Sequence, residues 1–341
     1  MSFLPEIGFD PVGIIFLVFS AAVFVQMLFV LIFQLRLLIH RHTAPSGHLP
    51  PVSVIICARN EEDNLYAHLP KIITQDYPTY EVIVVIDQTV DDSKHIIAAY
   101  QKEHPHLRYI EMERNPHRKF GKKLPLTVGI KGAKYEKVLL IDADCYPSSD
   151  KWIRTMMSGY KEGKEIVLGY GPYQRQKGWL NKFIRFDTTV IAINYFAFTK
   201  GGRPYMAVGR NMSYSKKLWK EVDGFKKHYH IQSGDDDLFM QDAAKRKNVA
   251  FVIEPKSWVY SLPKSTWKSW VKQKQRHFTT AGNYRFINKL FLGIFPVSMI
   301  LMLVCFFILI FSYEWWLFVL SLLLLRFITY WIISGFLLKM F

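Results

Sequence analysis

The sequence predicts an α/β protein with a mostly parallel, doubly wound sheet and three membrane-spanning helices. Three long apolar runs bracket one polar region, and within that region strand patterns alternate with helical patterns. Short continuous runs of β-branched and aliphatic residues are typical of strands buried on both faces, as in parallel sheets. Strands separated by helices imply right-handed crossovers, and therefore a sheet covered by helices on both faces.

Three segments are long and apolar enough to cross a hydrocarbon core of about 30 Å. Residues 12–38 hold a single charge, Arg36, residues 290–311 hold none, and residues 315–338 hold only Arg326. The first segment lacks the short apolar core and cleavage site of a signal peptide, so we expect an uncleaved anchor. A charge in mid-span such as Arg326 is either functional or paired within the helix bundle.

The charges that flank these spans predict the side of the membrane on which the polar region, residues 39–289, lies. Basic loops stay in the cytoplasm. We therefore expect an integral protein of a bacterial inner membrane or an equivalent one, with the polar region and the C-terminus in the cytoplasm and the N-terminus outside. The basic flanking residues are Arg36, Arg41, Arg285, Lys289 and Lys339, and the first segment is preceded only by the acidic Glu6 and Asp10.

The net charge of +16, from 44 Lys and Arg against 28 Asp and Glu, limits the partners. Such an excess is typical of proteins that bind nucleic acid, anionic lipid headgroups or phosphorylated substrates. The sequence has no nucleic-acid-binding module, so we expect an anionic membrane surface and a nucleotide substrate, and no nucleic acid. Cys57, Cys145 and Cys305 have no metal-ligand spacing and suit a reducing compartment.

Alternating strands and helices are predicted along the polar region. Asn60 or Asp63 is the expected cap of the first helix. The segment 179–198 has an amphipathic helical pattern that suits either the membrane surface or the protein core. Strands are predicted over 52–57, 81–86, 107–112 and 138–141, and the helices between them end near Gln75 or cover about 93–103 and 126–134.

Polar side chains follow three of these strands at their carboxyl ends, where ligands collect in open α/β sheets. Arg59 and Glu61 follow the first strand, Asp87 the second, and Asp142 with Asp144 the fourth. Residues i and i+2 of an extended chain point the same way, so both aspartates of the last pair can face one ligand. A hard cation such as Mg²⁺ or Mn²⁺ would relieve their repulsion, although a solvated turn also fits this short pattern.

Six motifs cover nearly all of the polar region: VSVIICARNEEDNL (52–65), EVIVVIDQTVDDS (81–93), GKKLPLTVGIKGAKYEKVLLIDAD (121–144), VGRNMSYSKKLWKEVDGF (208–225), SGDDDLFMQDAAKR (233–246) and KQKQRHF (272–278). No Gly-x-Gly-x-x-Gly follows the first strand and no Walker lysine motif is present, which disfavours a dehydrogenase or a P-loop enzyme. In this order, the six motifs resemble a membrane-anchored, inverting glycosyltransferase of family 2, whose domain has the GT-A nucleotide-sugar-binding fold.

The resemblance implies a UDP-sugar donor, a Mg²⁺ or Mn²⁺ ion and a set of residues that hold them. Asp144 would bind the metal between the two phosphates, and Arg210 with Asn211 would line the acceptor side. The implied donor contacts are Asp87 at the uridine, Arg59 and Glu61 beside the base and ribose, Asp142 near the sugar or ribose, and Lys122 or Lys123 near the diphosphate.

The resemblance also implies that an acidic motif supplies the general base. The usual Glu-Asp-x-Asp-Leu aligns with residues 234–238, which makes Asp235 the base. Because Gly replaces the Glu of the motif, a shift to Asp236 stays open. Acids also favour a helix N-terminus, so the three aspartates at 235–237 suit simple capping as well.

A second motif, Gln-x-x-Arg-Trp, aligns with Gln273 and Arg276 but has His277 in place of Trp. Gln273 then belongs to the donor side. The planar guanidinium of Arg276 is suited to a diphosphate. Alternatively, Lys272, Lys274 and Arg276 form a basic run that binds lipid headgroups beside the membrane. The missing Trp weakens the analogy with polymer synthases.

The resemblance and the three spans predict the transfer of one sugar from a UDP-sugar to a membrane lipid, on the arrangement of ceramide glucosyltransferases. Polymer synthases thread their product through a channel, which needs more helices than three. The alternative is a catalytic subunit of a polysaccharide synthase that elongates a β-linked glycan. A polyprenyl-phosphate glycosyltransferase and a non-catalytic nucleotide-sugar receptor are weaker alternatives. The sequence specifies neither the sugar, the acceptor nor the oligomeric state.

Overall fold

The computed structural model describes residues 10–40, 49–113 and 121–341. The chain divides into two compact units, one of residues 1–40 with 285–341 and one of residues 41–284. Glu6 and Arg41, on which part of the orientation prediction depends, lie outside the described residues.

The first unit consists of apolar helices at the predicted places. In the described part of the chain, three helices are long and apolar enough to cross a membrane: Pro11–Leu38, Phe286–Ser312 and Trp316–Leu338. The first joins α1 (Pro11–Phe29) through a π-helical segment (Val30–Leu35) to a last turn, α2 (Arg36–Leu38). The other two are α11 (Phe286–Ser312) and α12 (Trp316–Leu338). The helix α11 begins before the predicted residue 290 because its polar first turn is helical too.

Arg326 of α12 is paired inside this bundle. Its guanidinium donates to Oε1 of Gln26 on α1, and Nε2 of Gln26 donates to the Ser298 hydroxyl on α11 at 2.7 Å. The rings of Phe327 and Tyr330 lie 4.7 and 4.9 Å from the guanidinium carbon. An unsatisfied polar group is costly in hydrocarbon, so this network links the three helices in mid-span. It favours the second alternative for Arg326, a partner within the bundle.

The second unit is built on a seven-stranded sheet in the order β3-β2-β1-β4-β7-β6-β8. The first four of these strands are parallel, β7 is antiparallel to both of its neighbours, and β8 is parallel to β6. A separate pair, β5 with β9, is antiparallel. The bounds are β1 Val52–Ala58, β2 Tyr80–Asp87, β3 Leu107–Met112, β4 Lys137–Asp142, β5 Cys145–Pro147, β6 Ile166–Leu168, β7 Met212–Ser215, β8 Val249–Phe251 and β9 Val259–Ser261.

Helices cover both faces of this sheet, as the predicted doubly wound class requires. Val54 and Ile56 of β1 pack on Leu65 and Leu69 of one helix, α3. Ile55 points the other way, and a Cβ on Gly129 of α5 would lie 2.6 Å from its Cγ2 atom, so only glycine permits this close approach. The helices are α3 Glu62–Ile73, α4 Ser93–Gln101, α5 Lys123–Gly132, α6 Trp152–Met157, α7 Trp179–Lys200, α8 Lys216–Glu221, α9 Asp237–Ala243 and α10 Trp267–Ala281, with short 3₁₀ helices at Lys226–His228 and Pro255–Ser257.

The predicted strands are all present, with ends that differ by at most one residue, but the predicted cap of α3 is wrong. Glu61 occupies the N-cap position, and its side chain does not cap the helix. Asn60 has a positive φ of 53° and accepts a hydrogen bond from the Val90 amide at 2.9 Å. Its side chain therefore joins the loops that follow β1 and β2 instead of capping α3.

Candidate functional site

The carboxyl ends of β1, β2 and β4 bring the predicted donor-side residues to one edge of the sheet. Cys57 of β1 is in register with Asp142 of β4 and with Val85 of β2, two residues before Asp87. Asp87 is buried at the end of its strand, whereas Arg59 is exposed just beyond β1. The predicted convergence of these side chains on one edge is therefore present.

Glu61 lies beside the same edge, and its pKa is affected by the charges of Asp142 and Asp144. Its Oε2 accepts a hydrogen bond from Asn64 at 2.6 Å. Burial raises the pKa of Glu61, the bond from Asn64 opposes the rise, and the negative charges of Asp144 and Asp142 add to it. Glu61 is therefore electrostatically coupled to Asp142 and Asp144.

Asp142 and Asp144 form an acidic pair with Cys145 beside it. One ligand atom of each residue lies within 4.8 Å of the others. The strand ends at Asp142 and the chain turns through Asp144, so a turn and not the expected extended chain brings the two carboxylates together. The Cys145 thiol donates to Oδ1 of Asp144 at 3.2 Å. Burial and the two carboxylates raise the pKa of this thiol well above its ordinary value, so it remains protonated.

Lys122 lies between Asp142 and Asp235 and joins the donor side of the site to the acidic motif. Its ammonium donates to Oδ1 of Asp142 and lies 3.6 Å from Oδ2 of Asp235. Burial alone would lower the pKa of Lys122, but the two carboxylates outweigh it and hold the pKa well above its ordinary value. The same ammonium lowers the pKa of Asp142, against burial, which would raise it. Lys122 is therefore a permanent cation at the centre of the site.

The three acids of the motif have different environments. Both oxygens of Asp236 accept backbone hydrogen bonds, from the Gly209 and Asp237 amides, each at 2.8 Å. Asp236 is thus the cap of α9, as the capping alternative proposed. Asp237 is buried and accepts hydrogen bonds from the hydroxyls of Thr280 and Tyr284. Among the three acids, Asp235 is the one whose carboxylate faces Lys122 within 4 Å.

The pKa values of the first two acids are both raised. Burial raises the pKa of Asp235, Lys122 opposes the rise and Asp236 adds to it. Burial and the neighbouring Asp237 raise the pKa of Asp236 to about 6. A carboxylate with a raised pKa accepts a proton more readily than an ordinary one, which suits a general base.

Lys123 points away from the carboxylates although it is adjacent to Lys122. Its buried ammonium donates to three carbonyls, of His228, Ile231 and Ser233, at 2.6–2.7 Å. Burial lowers the pKa of Lys123, and the charges of Asp235 and Asp237 partly restore it. Of the two predicted donor-side lysines, only Lys122 lies among the acids. Lys123 instead fixes the loop that leads into the acidic motif.

Arg210 and Gln273 both contact the side chain of Tyr173. The Arg210 guanidinium carbon lies 4.9 Å above the ring of Tyr173, and Nε2 of Gln273 donates to the Tyr173 hydroxyl at 3.2 Å. Arg210 also donates to the Gly171 carbonyl. Its charge contributes to the lowered pKa of Asp142, so Arg210 lies close enough to the acidic pair to act on it.

The position of Asn211 does not agree with its predicted acceptor-side role. Its side chain is fully buried, and its amide donates to the carbonyls of Tyr170 and Ser257 at 2.7 and 2.8 Å. Its Oδ1 accepts from the Trp152 indole at 3.1 Å. With these donor and acceptor atoms engaged inside the core, Asn211 holds the loop that carries Arg210.

Arg276 and His277 are exposed on α10. The charge of Arg276 contributes to the lowered pKa of Asp142, which brings this residue within electrostatic reach of the acidic pair. Lys274, by contrast, is bonded to Asp187 of α7. The predicted lipid-binding run of Lys272, Lys274 and Arg276 is therefore divided between different partners.

Sequence reasoning missed the residues that support the site from a distance. Tyr173 and Cys145 belong to no recognised motif, yet they contact predicted site residues. Thr280 and Tyr284 likewise lie outside the motifs and contact Asp237 of the acidic motif. The sequence offered one signal for Thr280. It lies four residues after Arg276, about one turn further along α10, so the two are neighbours on the helix surface.

The fold is that of a glycosyltransferase domain of GT-A type. A mannosyltransferase from Pyrobaculum calidifontis, solved in complex with GDP-Man and Mn²⁺, has a similar fold, with a TM-score of 0.58 at 17% identity over 96% of this chain and 97% of that one. Residues 53–222 match the family described as glycosyl transferase family 2. The chain therefore carries a family-2 glycosyltransferase domain, and the predicted family and fold are confirmed.

Two curated relatives are similar over about a third of this chain. The poly-beta-1,6-N-acetyl-D-glucosamine synthase of Staphylococcus epidermidis is 30% identical over 99 residues, which are 29% of this chain and 23% of the relative. The beta-monoglucosyldiacylglycerol synthase of Nostoc sp. is 31% identical over 119 residues, 33% of this chain and 24% of the relative. The match thus spans about a quarter of the length of either relative.

The two adjacent lysines provide a test of this description. We expect Lys123→Met to lower the free energy of unfolding by about 2–4 kcal/mol, because three part-buried carbonyls lose a charged donor. Lys122→Met, the adjacent comparison, should cost less, because Asp142 and Asp235 are partly exposed and one of them can take up a proton, and it should weaken nucleotide-sugar binding. Thermal unfolding of detergent-solubilised protein and calorimetric titration with the donor measure the two effects. Equal destabilisation by both variants would contradict the description.

Proposed function

We propose that this protein is an inverting glycosyltransferase that transfers one sugar from a UDP-sugar to a membrane-embedded lipid acceptor. The observation that carries the proposal is the arrangement of Asp142, Asp144, Lys122 and Asp235 at the carboxyl edge of the sheet in a family-2 domain. In the proposed reaction, Asp142 and Asp144 serve the diphosphate and Asp235 serves the acceptor, with the Lys122 ammonium between them.

Asp235 is the proposed general base. As the acceptor hydroxyl attacks the anomeric carbon, its proton passes to the Asp235 carboxylate, and the bond from that carbon to the nucleoside diphosphate breaks. Asp236 is less suited to this role because both of its oxygens already accept backbone amides. Its proposed task is to position Asp235 by fixing the loop at Gly209 against the start of α9.

The donor diphosphate is proposed to bind at the acidic pair, with Arg276 and Lys122 nearby. Carboxylate oxygens are the ligands that Mg²⁺ and Mn²⁺ prefer, and Asp142 and Asp144 supply them within reach of one ion. Two carboxylates and a single thiol make up this group, a ligand set richer in oxygen than in sulfur, which favours these hard cations over zinc. When bound, such an ion would neutralise the charge that develops on the leaving diphosphate. Asp144 is the ligand proposed first, because Asp142 is held by Lys122.

The remaining donor contacts are proposed from the resemblance and agree with the positions found. Asp87 at the end of β2 would contact the uridine, with Arg59 and Glu61 beside the base and ribose. These residues follow adjacent parallel strands, where a nucleotide lies in folds of this class. Arg210, half-buried on Tyr173, would line the acceptor side.

The lipid acceptor is supported by the three apolar helices and by the relative that makes a glucosyldiacylglycerol. The proposed orientation, with the catalytic domain in the cytoplasm and the N-terminus outside, depends on the excess of basic residues beside the domain. The second candidate, a polysaccharide synthase, is favoured by the relative that makes a poly-N-acetylglucosamine. His277, at the place of the motif's Trp, weakens that candidate because an exposed imidazole offers less area for stacking a growing glycan.

The identity of the base can be tested by two conservative substitutions. We expect Asp235→Asn to lower kcat by about 10³-fold or more, because general-base catalysis is lost. Asp236→Asn retains one of the two accepted amide bonds, so about a tenfold loss is expected. Transfer by the wild type should fall as the pH falls through the raised pKa of Asp235, above the ordinary carboxyl value of about 4. Near-normal turnover by the Asp235 variant would exclude it as the base.

Metal binding can be measured without turnover. In titrations of the full chain with Mn²⁺, followed by electron paramagnetic resonance of the free ion, Asp144→Asn should weaken binding at least tenfold because a charged ligand is lost. Cys145→Ser, the adjacent control, should bind Mn²⁺ normally. Chelation with EDTA should abolish transfer, and added Mg²⁺ or Mn²⁺ should restore it. Full transfer in the presence of EDTA would contradict the metal proposal.

The size of the product separates the two candidate functions. Purified protein in lipid vesicles, given labelled UDP-sugars or GDP-mannose, should produce one discrete glycolipid with a UDP-sugar, because each transfer ends with release. A ladder of lengths would favour the polysaccharide synthase instead. Transfer from GDP-mannose but from no UDP-sugar would contradict the proposed donor class.

A further inference from the structure

The third acid of the acidic motif, Asp237, is bonded to two hydroxyls that come from the end of α10 and the turn after it. Its Oδ2 atom accepts hydrogen bonds from the Thr280 hydroxyl and, at 2.8 Å, from the Tyr284 hydroxyl. Its Oδ1 atom accepts from the Leu238 amide, also at 2.8 Å. Asp237 and Thr280 are both buried. We refer to Asp237, Thr280 and Tyr284 as the acid–hydroxyl cluster.

The donors of this cluster suit a carboxylate. Hydrogen bonds to an ionised acceptor are stronger than those between neutral groups, and Asp237 receives three of them. Burial raises the pKa of the Tyr284 hydroxyl, and the charge of Asp237 adds to the rise, so this hydroxyl keeps its proton and remains a donor. The cluster therefore holds residues more than forty positions apart in a fixed contact.

The helix α10 is attached to the domain at a second point, and Arg276 lies between the two. Nε2 of Gln273 donates to the Tyr173 hydroxyl at 3.2 Å. Gln273 and Thr280 are seven residues apart, about two turns, and so share one face of the helix. Arg276 is three residues after Gln273 and four before Thr280, which places it on the same face. Its charge acts on Asp142 from there.

On the other side of the cluster, the backbone of the acidic motif is fixed as well. Asp237 begins α9 and lies two residues after Asp235. Between them, Asp236 accepts the amides of Gly209 and Asp237, each at 2.8 Å. The cluster thus joins the segment that carries Asp235 to the helix that carries Arg276.

We propose that the acid–hydroxyl cluster positions Arg276, on the leaving-group side, against Asp235, on the acceptor side. Displacement at the anomeric carbon needs the base and the group at the leaving diphosphate aligned at the same moment, and a misplacement of about 1 Å can cost about 100-fold in rate. This inference depends on the proposed function and deepens it, because it assigns a share of the rate to three side chains that act through Asp235 and Arg276.

Paired substitutions in the full chain test the proposal. We expect Thr280→Val and Tyr284→Phe each to lower kcat about tenfold and to leave the donor KM within about twofold, because alignment and not donor binding is lost. Thr280→Ser, which keeps the hydroxyl, should stay within about threefold of the wild type. The controls are Thr279→Val, whose exposed hydroxyl donates within α10, and Tyr66→Phe, 69% exposed on α3; both should transfer normally.

A double-mutant cycle separates positioning from a merely structural role. In an Arg276→Gln background, Thr280→Val should change kcat less than about twofold, because the guanidinium that it aligns is gone. Full additivity of the two substitutions would overturn the proposal. Equal rates for the Val and Ser variants of Thr280 would overturn it too, as would a loss of rate that matches the loss of folded protein in thermal unfolding.

Hydrogen–deuterium exchange of the detergent-solubilised chain provides a measurement without turnover. Thr280→Val should raise exchange at least about threefold in both residues 235–243 and 267–281, because each segment loses its contact with the other, and Thr279→Val should not. Unchanged exchange in the Thr280 variant would overturn the proposal. The kcat ratios are taken on whichever sugar the wild type transfers. A ladder of products or a GDP-mannose donor would therefore contradict the proposed function without deciding the role of the cluster.

Discussion

The ammonium of Lys122 is the interaction on which the site depends. It lies between Asp142 at the end of β4 and Asp235 before α9, two carboxylates that would repel each other without it. Like charges in a buried site otherwise drive one group to stay protonated. One cation thus joins the parallel half of the sheet, where the donor is proposed to bind, to the acidic motif of the acceptor side. A change of charge at one of the two carboxylates therefore affects the other through Lys122.

The scaffold around this contact is organised by hydrogen bonds to backbone atoms. Lys123 holds three carbonyls of the loop before the acidic motif, Asp236 holds two amides, and Asn211 holds two carbonyls and an indole. Such residues look like catalytic candidates in a sequence because they are polar and lie within motifs. Their role is to fix the positions of Asp235 and Arg210. A site that must align an attacking hydroxyl with a leaving group gains from such rigidity.

The sequence predicted the parallel half of the sheet well because its strands are uninterrupted apolar runs that end in polar residues. Val52–Ala58 and Lys137–Asp142 could be recognised in this way. Individual roles were harder to predict. Lys122 and Lys123 are adjacent and chemically equal, and only the direction of each side chain at the start of α5 separates them. Likewise, Asp235 and Asp236 differ in which backbone amides reach them, and those amides come from residues distant in sequence.

Burial of Cys145 beside Asp144 bears on the chemical durability of the protein. The thiolate is the form that oxidants and alkylating agents attack, and the raised pKa of Cys145 keeps that form scarce at neutral pH. Cys57, at the end of β1, is also held protonated, since burial raises its pKa to about 12. These two thiols are therefore less reactive towards oxidants than an ordinary exposed thiol. Under oxidative stress the acidic pair would therefore keep two unmodified thiols beside it.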